Sequence, residues 1–300
     1  MKKYTLFIIA LVITTVVLSS CLVPAAGPVP TTPPEQTDLS GQFETLQAQV
    51  TEQAATIESQ KTAIPEVPVY SGDFAVVSSS GLTFDLPAEV AAGASVSIVP
   101  QDDPEMGWPD FELPERRLVS FSGYVIQNHF HKPAIHVIPL EQTYQIGKYG
   151  ATMATKLQTL LDNPDVDLAS EDNLPFLPPF NAAQVFHALE KRLESDKGRG
   201  IRYLTLYSQG IVGIDNFDIF YTYQGISSDG KYYIAAVLPI NSSLLQDLAL
   251  DQAGLEAMAE KYPEYITNMT ELLRSEGGGV LTPSLEALDS MMMSLEILSD

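Results

Sequence analysis

The chain has 300 residues, 38 of them acidic and 16 basic, for a formal net charge of −22. That balance argues against nucleic acid, whose binders are basic, and against spreading on an anionic bilayer, which attracts basic segments. The single cysteine excludes a framework of internal disulfides, so stability must come from an apolar core.

Lys2 and Lys3 form a short basic region, and Tyr4 to Val17 is free of charge and rich in Leu, Ile and Val. A run of about 15 apolar residues falls short of the roughly 20 needed to span a bilayer, and it has the length of a signal-peptide apolar region. Leu18-Ser19-Ser20-Cys21 follows. These features together resemble the signal peptide and lipobox of bacterial lipoproteins: an aliphatic residue, two small residues, then the cysteine that receives lipid. The resemblance implies that residues 1–20 are removed and that Cys21 carries diacylglycerol. It also implies a lipid-anchored protein of the cell membrane or outer membrane, facing the extracytoplasmic side. One acyl chain holds only marginally, at about 0.8 kcal/mol per buried methylene, whereas two or three hold durably. Leu22 in place of Asp after the cysteine favours the outer membrane in a host that has one.

Residues 21–38 are dominated by Pro, Ala and Thr and read as a disordered spacer. Residues 39–65 change character. Leu39, Phe43, Leu46, Val50, Ile57 and Ile64 are spaced alternately by four and three, with Gln53 and Gln60 at the remaining seam positions. This heptad pattern predicts a helical stalk of about 39 Å, ended by Pro65. Alone it would be marginal in water. Either it self-associates through 39–64 as a coiled coil, or it packs on the domain behind it.

The domain at 69–300 is expected to be α+β. Residues 72–87 alternate in polarity around Gly81 and predict two short strands, and 94–100 a third. Residues 117–127 and 134–140 predict a strand pair around "NHFHKP". Residues 200–209, 217–225 and 231–240 are rich in aromatic and β-branched side chains, with "SSDG" at 227–230 as a hairpin turn. Helices are expected at 151–162, 181–195, 252–275 and 283–298. The second has good start chemistry: Asn181 and Gln184 as a capping box, Phe180 and Val185 as a staple. Strands grouped apart from helices predict an antiparallel sheet flanked by helices. "GLTFDLP" near the start of this domain and "SLEIL" near its end are similar to PsbP-like domains. That likeness implies an antiparallel sheet between helices in a mostly non-catalytic module, and it transfers no functional residue.

Among reactive groups, His129 and His131 are two apart, so on a strand they would share a face, and His136 could return beside them. Three imidazoles can hold zinc or copper; the competing reading is a polar hairpin tip. "LYSQG" (206–210) lacks the first glycine and the strand-to-helix setting of a nucleophile elbow, so Ser208 reads as a strand serine. Lys191, Arg192, Lys197, Arg199 and Arg202 form a basic cluster that either receives an anion at "KGRG" or serves a helix C-terminus. "LPFLPPF" (174–180) is either an exposed partner site or a loop folded over the core. With no complete motif, neither a catalytic residue nor a cofactor is assigned. The expected function is a non-catalytic binding or interaction module of unknown ligand. The alternative is an envelope hydrolase or metalloenzyme near His129, His131 and His136.

Overall fold

The computed structural model describes residues 73–105, 110–245, 252–276 and 281–298. The chain divides into two units, Met1–Lys61 and Thr62–Asp300, and the described residues belong to the second. Cys21, the spacer and the heptad segment lie outside them. No helix among the described residues is long and apolar enough to cross a membrane.

β1 (Phe74–Ser79) and β2 (Leu82–Pro87) form an antiparallel hairpin. Ser80 and Gly81 both have positive φ, the backbone a two-residue hairpin loop requires. Along β2, Leu82, Phe84 and Leu86 are buried and the residues between them are partly exposed, the period-two pattern of a half-buried strand. β3 (Gly93–Val99), β4 (Arg116–Ser122) and β5 (Ala134–Pro139) follow as an antiparallel meander. Next come α1 (Leu140–Ile146), α2 (Lys148–Asp162) and a 3-10 turn at Leu168–Ser170. β6 (Ala183–Ser195), β7 (Gly198–Ser208), β8 (Phe220–Ser227) and β9 (Tyr232–Pro239) then pair in series. The short β10 (Asn241–Ser242), α3 (Gln252–Glu276), the short β11 (Leu281–Thr282), α4 (Leu285–Ser294) and β12 (Glu296–Ile297) complete the order.

The main sheet has seven strands in the order β3-β4-β5-β9-β8-β7-β6, with β9 pairing antiparallel to β5. A three-stranded sheet β1-β2-β12 and the β10-β11 pair stand beside it. The class is mixed, with antiparallel sheets flanked by four helices. Helices and loops cover both faces of the main sheet. Leu204, Leu206, Tyr221, Tyr223, Ile234 and Ala236 face one core, shared with β1-β2 and α4. Ile201, Tyr203, Tyr233 and Ala235 face the other, shared with α1 and α2. This double burial explains why β9 reads as a nearly continuous apolar run. Gly200 and Gly225 are register partners, and a Cβ on either would meet the Tyr223 ring at 2.6 Å or less, so the pair makes room for that ring.

One expected helix is a strand. Residues 183–195 form β6, not a helix, although Ala, Leu, Glu, Lys and Arg fill the segment and its apolar residues recur at Val185, Leu189 and Leu193. Gln184 caps nothing: its Oε1 accepts from Leu174 N at 2.8 Å and its Nε2 donates to Tyr207 Oη. β7 pairs with this segment over its whole length, and that non-local pairing overrides the local propensity. A bulge between Ala188 and Lys191 inserts one extra residue. Ala188 lies opposite Leu204 and Leu193 opposite Gly200, so the extra residue returns Leu193 to the face of Ala188. The last helix is also shorter than expected. Ser284 caps it, its Oγ accepting from Ala287 N, and β12 takes the residues after Leu295.

Candidate functional site

The loops 123–133 and 209–219 meet at one end of the main sheet. Phe130 N donates to Phe217 O at 2.9 Å. His129 Nε2 donates to Ile219 O at 2.8 Å, and its Nδ1 accepts from His131 N at 3.0 Å. These two bonds use both ring nitrogens and fix one neutral tautomer. Burial lowers the His129 pKa against the opposing effect of the same two backbone contacts.

Beneath this crossing lies an aromatic cluster. The His131 ring stacks on Phe180 at 5.0 Å between centroids and 7° between planes. It meets Phe220 edge-on at 4.6 Å and Phe130 at 4.9 Å. Phe176 packs under Phe180 at 4.9 Å and stacks on Tyr207 at 4.4 Å. Burial first, and the neighbouring His129 second, push the His131 pKa down to about 4. Its Nε2 is buried with no hydrogen-bond partner among the described residues. Above the cluster Phe130 is 66% exposed and Phe217 50% exposed, with their rings 6.2 Å apart. Such exposed apolar rings suit stacking on planar or apolar groups.

The histidines do not assemble as a metal site. His129 and His131 are in a loop, not on a strand, so period-two alternation does not place them. His136 sits inside β5, paired with Leu118 and Ala235. Burial and the charge of Arg116, against Asp102, push its pKa down to about 4. Among the described residues no three His, Cys, Asp or Glu side chains come together to hold a metal ion. Ser208 is a strand residue whose Oγ accepts from Gly210 N.

The loop 174–180 is folded over the core. Gln224, fully buried, accepts from Leu177 N and donates to Leu177 O. Tyr203 Oη donates to Pro175 O at 2.8 Å. Leu174, Phe176 and Leu177 are accordingly buried. The aromatic residues of the central strands are mostly internal too: Tyr203, Phe220, Tyr221, Tyr223 and Tyr233 are buried, and Tyr232 lies under the Arg117 guanidinium at 5.5 Å. Phe217, expected on a strand at 217–225, lies instead in the loop before β8 and is well exposed.

The basic residues serve structure. Arg192 donates to the carbonyls of Leu160, Asn163 and Val166, and Arg199 to Leu161 O and the Asp162 carboxylate. Two strand arginines thus cap the C-terminus of α2, a neighbouring helix and not their own element. Lys197 pairs with Glu296, and Lys191 and Arg202 flank Asp289. At the β6 bulge, where Leu189 takes a φ of 55°, His187 Nδ1 lies 2.5 Å from Glu190 Oε1, and Arg274 reaches the same oxygen at 2.7 Å. Periodicity read as a helix had hidden this group. No protein-family model matches the chain, and no curated protein is found to be similar to it.

Proposed function

We propose that the chain is a lipid-anchored extracytoplasmic lipoprotein that acts as a non-catalytic binding module. Cys21 carries the lipid, residues 39–64 form a helical stalk that self-associates as a coiled coil, and the domain presents a contact surface away from the membrane. The observation that carries the binding reading is the Phe130–Phe217 pair: two large aromatic side chains held open at a loop crossing whose backbone is fixed by hydrogen bonds. Rigid, exposed aromatics bury large area at low entropic loss, and they are enriched among the residues that dominate binding energy. The hydrolase or metalloenzyme reading needs His129, His131 and His136 to converge; His129 and His131 share the loop 123–133, but His136 lies inside β5, paired with Leu118 and Ala235.

The test is cross-linking in intact cells from a photoreactive phenylalanine analogue placed at Phe130, with the same analogue at exposed Asp172 as control. A discrete adduct from position 130 alone is expected. No adduct at 130, or the same adduct from both positions, overturns the reading.

A further inference from the structure

A second surface lies at the opposite kind of chemistry, in a groove between α4 and the paired ends of β1 and β2. Its volume is about 710 Å³, within the range of about 300–1,000 Å³ typical of binding clefts. Met291 forms buried floor, and Phe74, 41% exposed, stands at the mouth. Asp73, Asp85, Glu89 and Glu286 line the same groove, and no Lys, Arg or His does. Among the described residues none of the four carboxylates is in an ion pair, and the one hydrogen bond to their side chains is from Ser284 Oγ to Glu89, at 2.8 Å. By contrast, buried Asp289 is matched by Lys191 and Arg202.

We infer that this groove docks a cationic peptide segment bearing apolar side chains. Charge complementarity selects the occupant: unpaired carboxylates surround an apolar floor, so a ligand that supplies both Lys or Arg heads and an apolar side chain satisfies both. An anionic or purely apolar segment would leave the carboxylates uncompensated. This inference is independent of the aromatic crossing at Phe130 and Phe217.

The experiment uses the full chain in detergent and a synthetic hexapeptide of alternating Lys and Leu. Titration calorimetry should show binding to it, and none to the Glu–Leu counterpart. Asp85→Asn with Glu286→Gln should weaken binding by about fivefold, the sum expected for two exposed charge pairs. Phe74→Ser should weaken it by about tenfold, since an aromatic anchor in a groove is worth more than a rim charge. Glu141→Gln with Asp172→Asn, the same charge change elsewhere on the surface, should leave it unaltered. No binding of the Lys–Leu peptide overturns the inference. So does equal loss in the control pair, which would make net charge the cause, or retention of full affinity in Phe74→Ser.

Discussion

Glu190 has a side chain only 6% exposed, wedged between His187 and Arg274 at the β6 bulge. Burial pushes its carboxyl up. The hydrogen bonds from His187 and Arg274, with the charge of Arg274, outweigh that and hold it at about 2, against 4.5 for the free side chain. A carboxyl whose pKa is lower in the folded than in the unfolded chain stabilises the fold above the unfolded value. That contribution fades as pH falls from about 4.5 towards about 2. Glu190→Gln is therefore expected to cost about 2 kcal/mol near neutral pH, the scale of hydrogen bonds to a charged group. The gap to the parent chain should narrow steadily below about pH 4.5. Urea unfolding of both proteins across that range checks it; a gap that stays constant to about pH 3 would show that the ionised carboxylate is not what Arg274 and His187 stabilise. The bulge itself was hidden in the sequence. Leu189 at a φ of 55° is a conformation that a branched side chain seldom takes, and nothing local in "HALEKR" announces it.

At the scale of elements, α2 depends on side chains far away in sequence. It ends at Asp162 with no basic residue in its last turn. Arg192 from β6 supplies a guanidinium to the carbonyls of Leu160, Asn163 and Val166 at 3.3, 3.2 and 3.0 Å. All three contacts are made by Nη2, whose position is fixed by the planar guanidinium, whereas a lysine ammonium would have to find the same point on a flexible stem. Arg192→Met, which keeps the apolar stem, should destabilise the domain by about 2 kcal/mol through the lost cap and dipole partner. Hydrogen exchange should speed up first in the last turn of α2. Arg192→Lys should recover only part of the loss. Unchanged exchange at 157–162 in Arg192→Met would remove the capping role. Most elements were legible in the sequence because their signals are local: alternation in β2, the Asp-Gly turn before β9, and the apolar stripe of α2. β6 was not, because its helix formers and helix-like spacing are overruled by pairing with β7. For the same reason Arg192 and Arg199 read as cations for the end of their own segment, whereas they cap α2, a separate helix that was itself legible. The aromatic crossing was half legible. "NHFHKP" marked a loop, but only the fold brings Phe217 beside Phe130 and keeps His136 apart.

For the whole molecule, a domain with both faces of its sheet buried needs no disulfide, which leaves the lone cysteine free for another role. Cys21 sits after an apolar run too short to span a bilayer, so lipid on its sulfur would supply the attachment that the run does not. The proposed anchor and the proposed stalk make separable demands on the full chain. Cys21→Ala should lose palmitate labelling and leave the membrane-lipid fraction, with the domain still folded, since Cys21 precedes its first described residue by some fifty positions. Leu46→Asp with Val50→Asp places two charges on the heptad seam and should leave labelling intact while abolishing association. Radiolabelled palmitate reports the first effect. Sedimentation of the detergent-solubilised chain, corrected for bound detergent, reports the second as a fall from a dimer or trimer to a single chain. Persistent labelling of Cys21→Ala would defeat the lipoprotein reading. A parent chain already sedimenting as a monomer at tens of micromolar would defeat the coiled coil while leaving the anchor standing, because permanent attachment through two or three acyl chains asks nothing of a neighbouring copy.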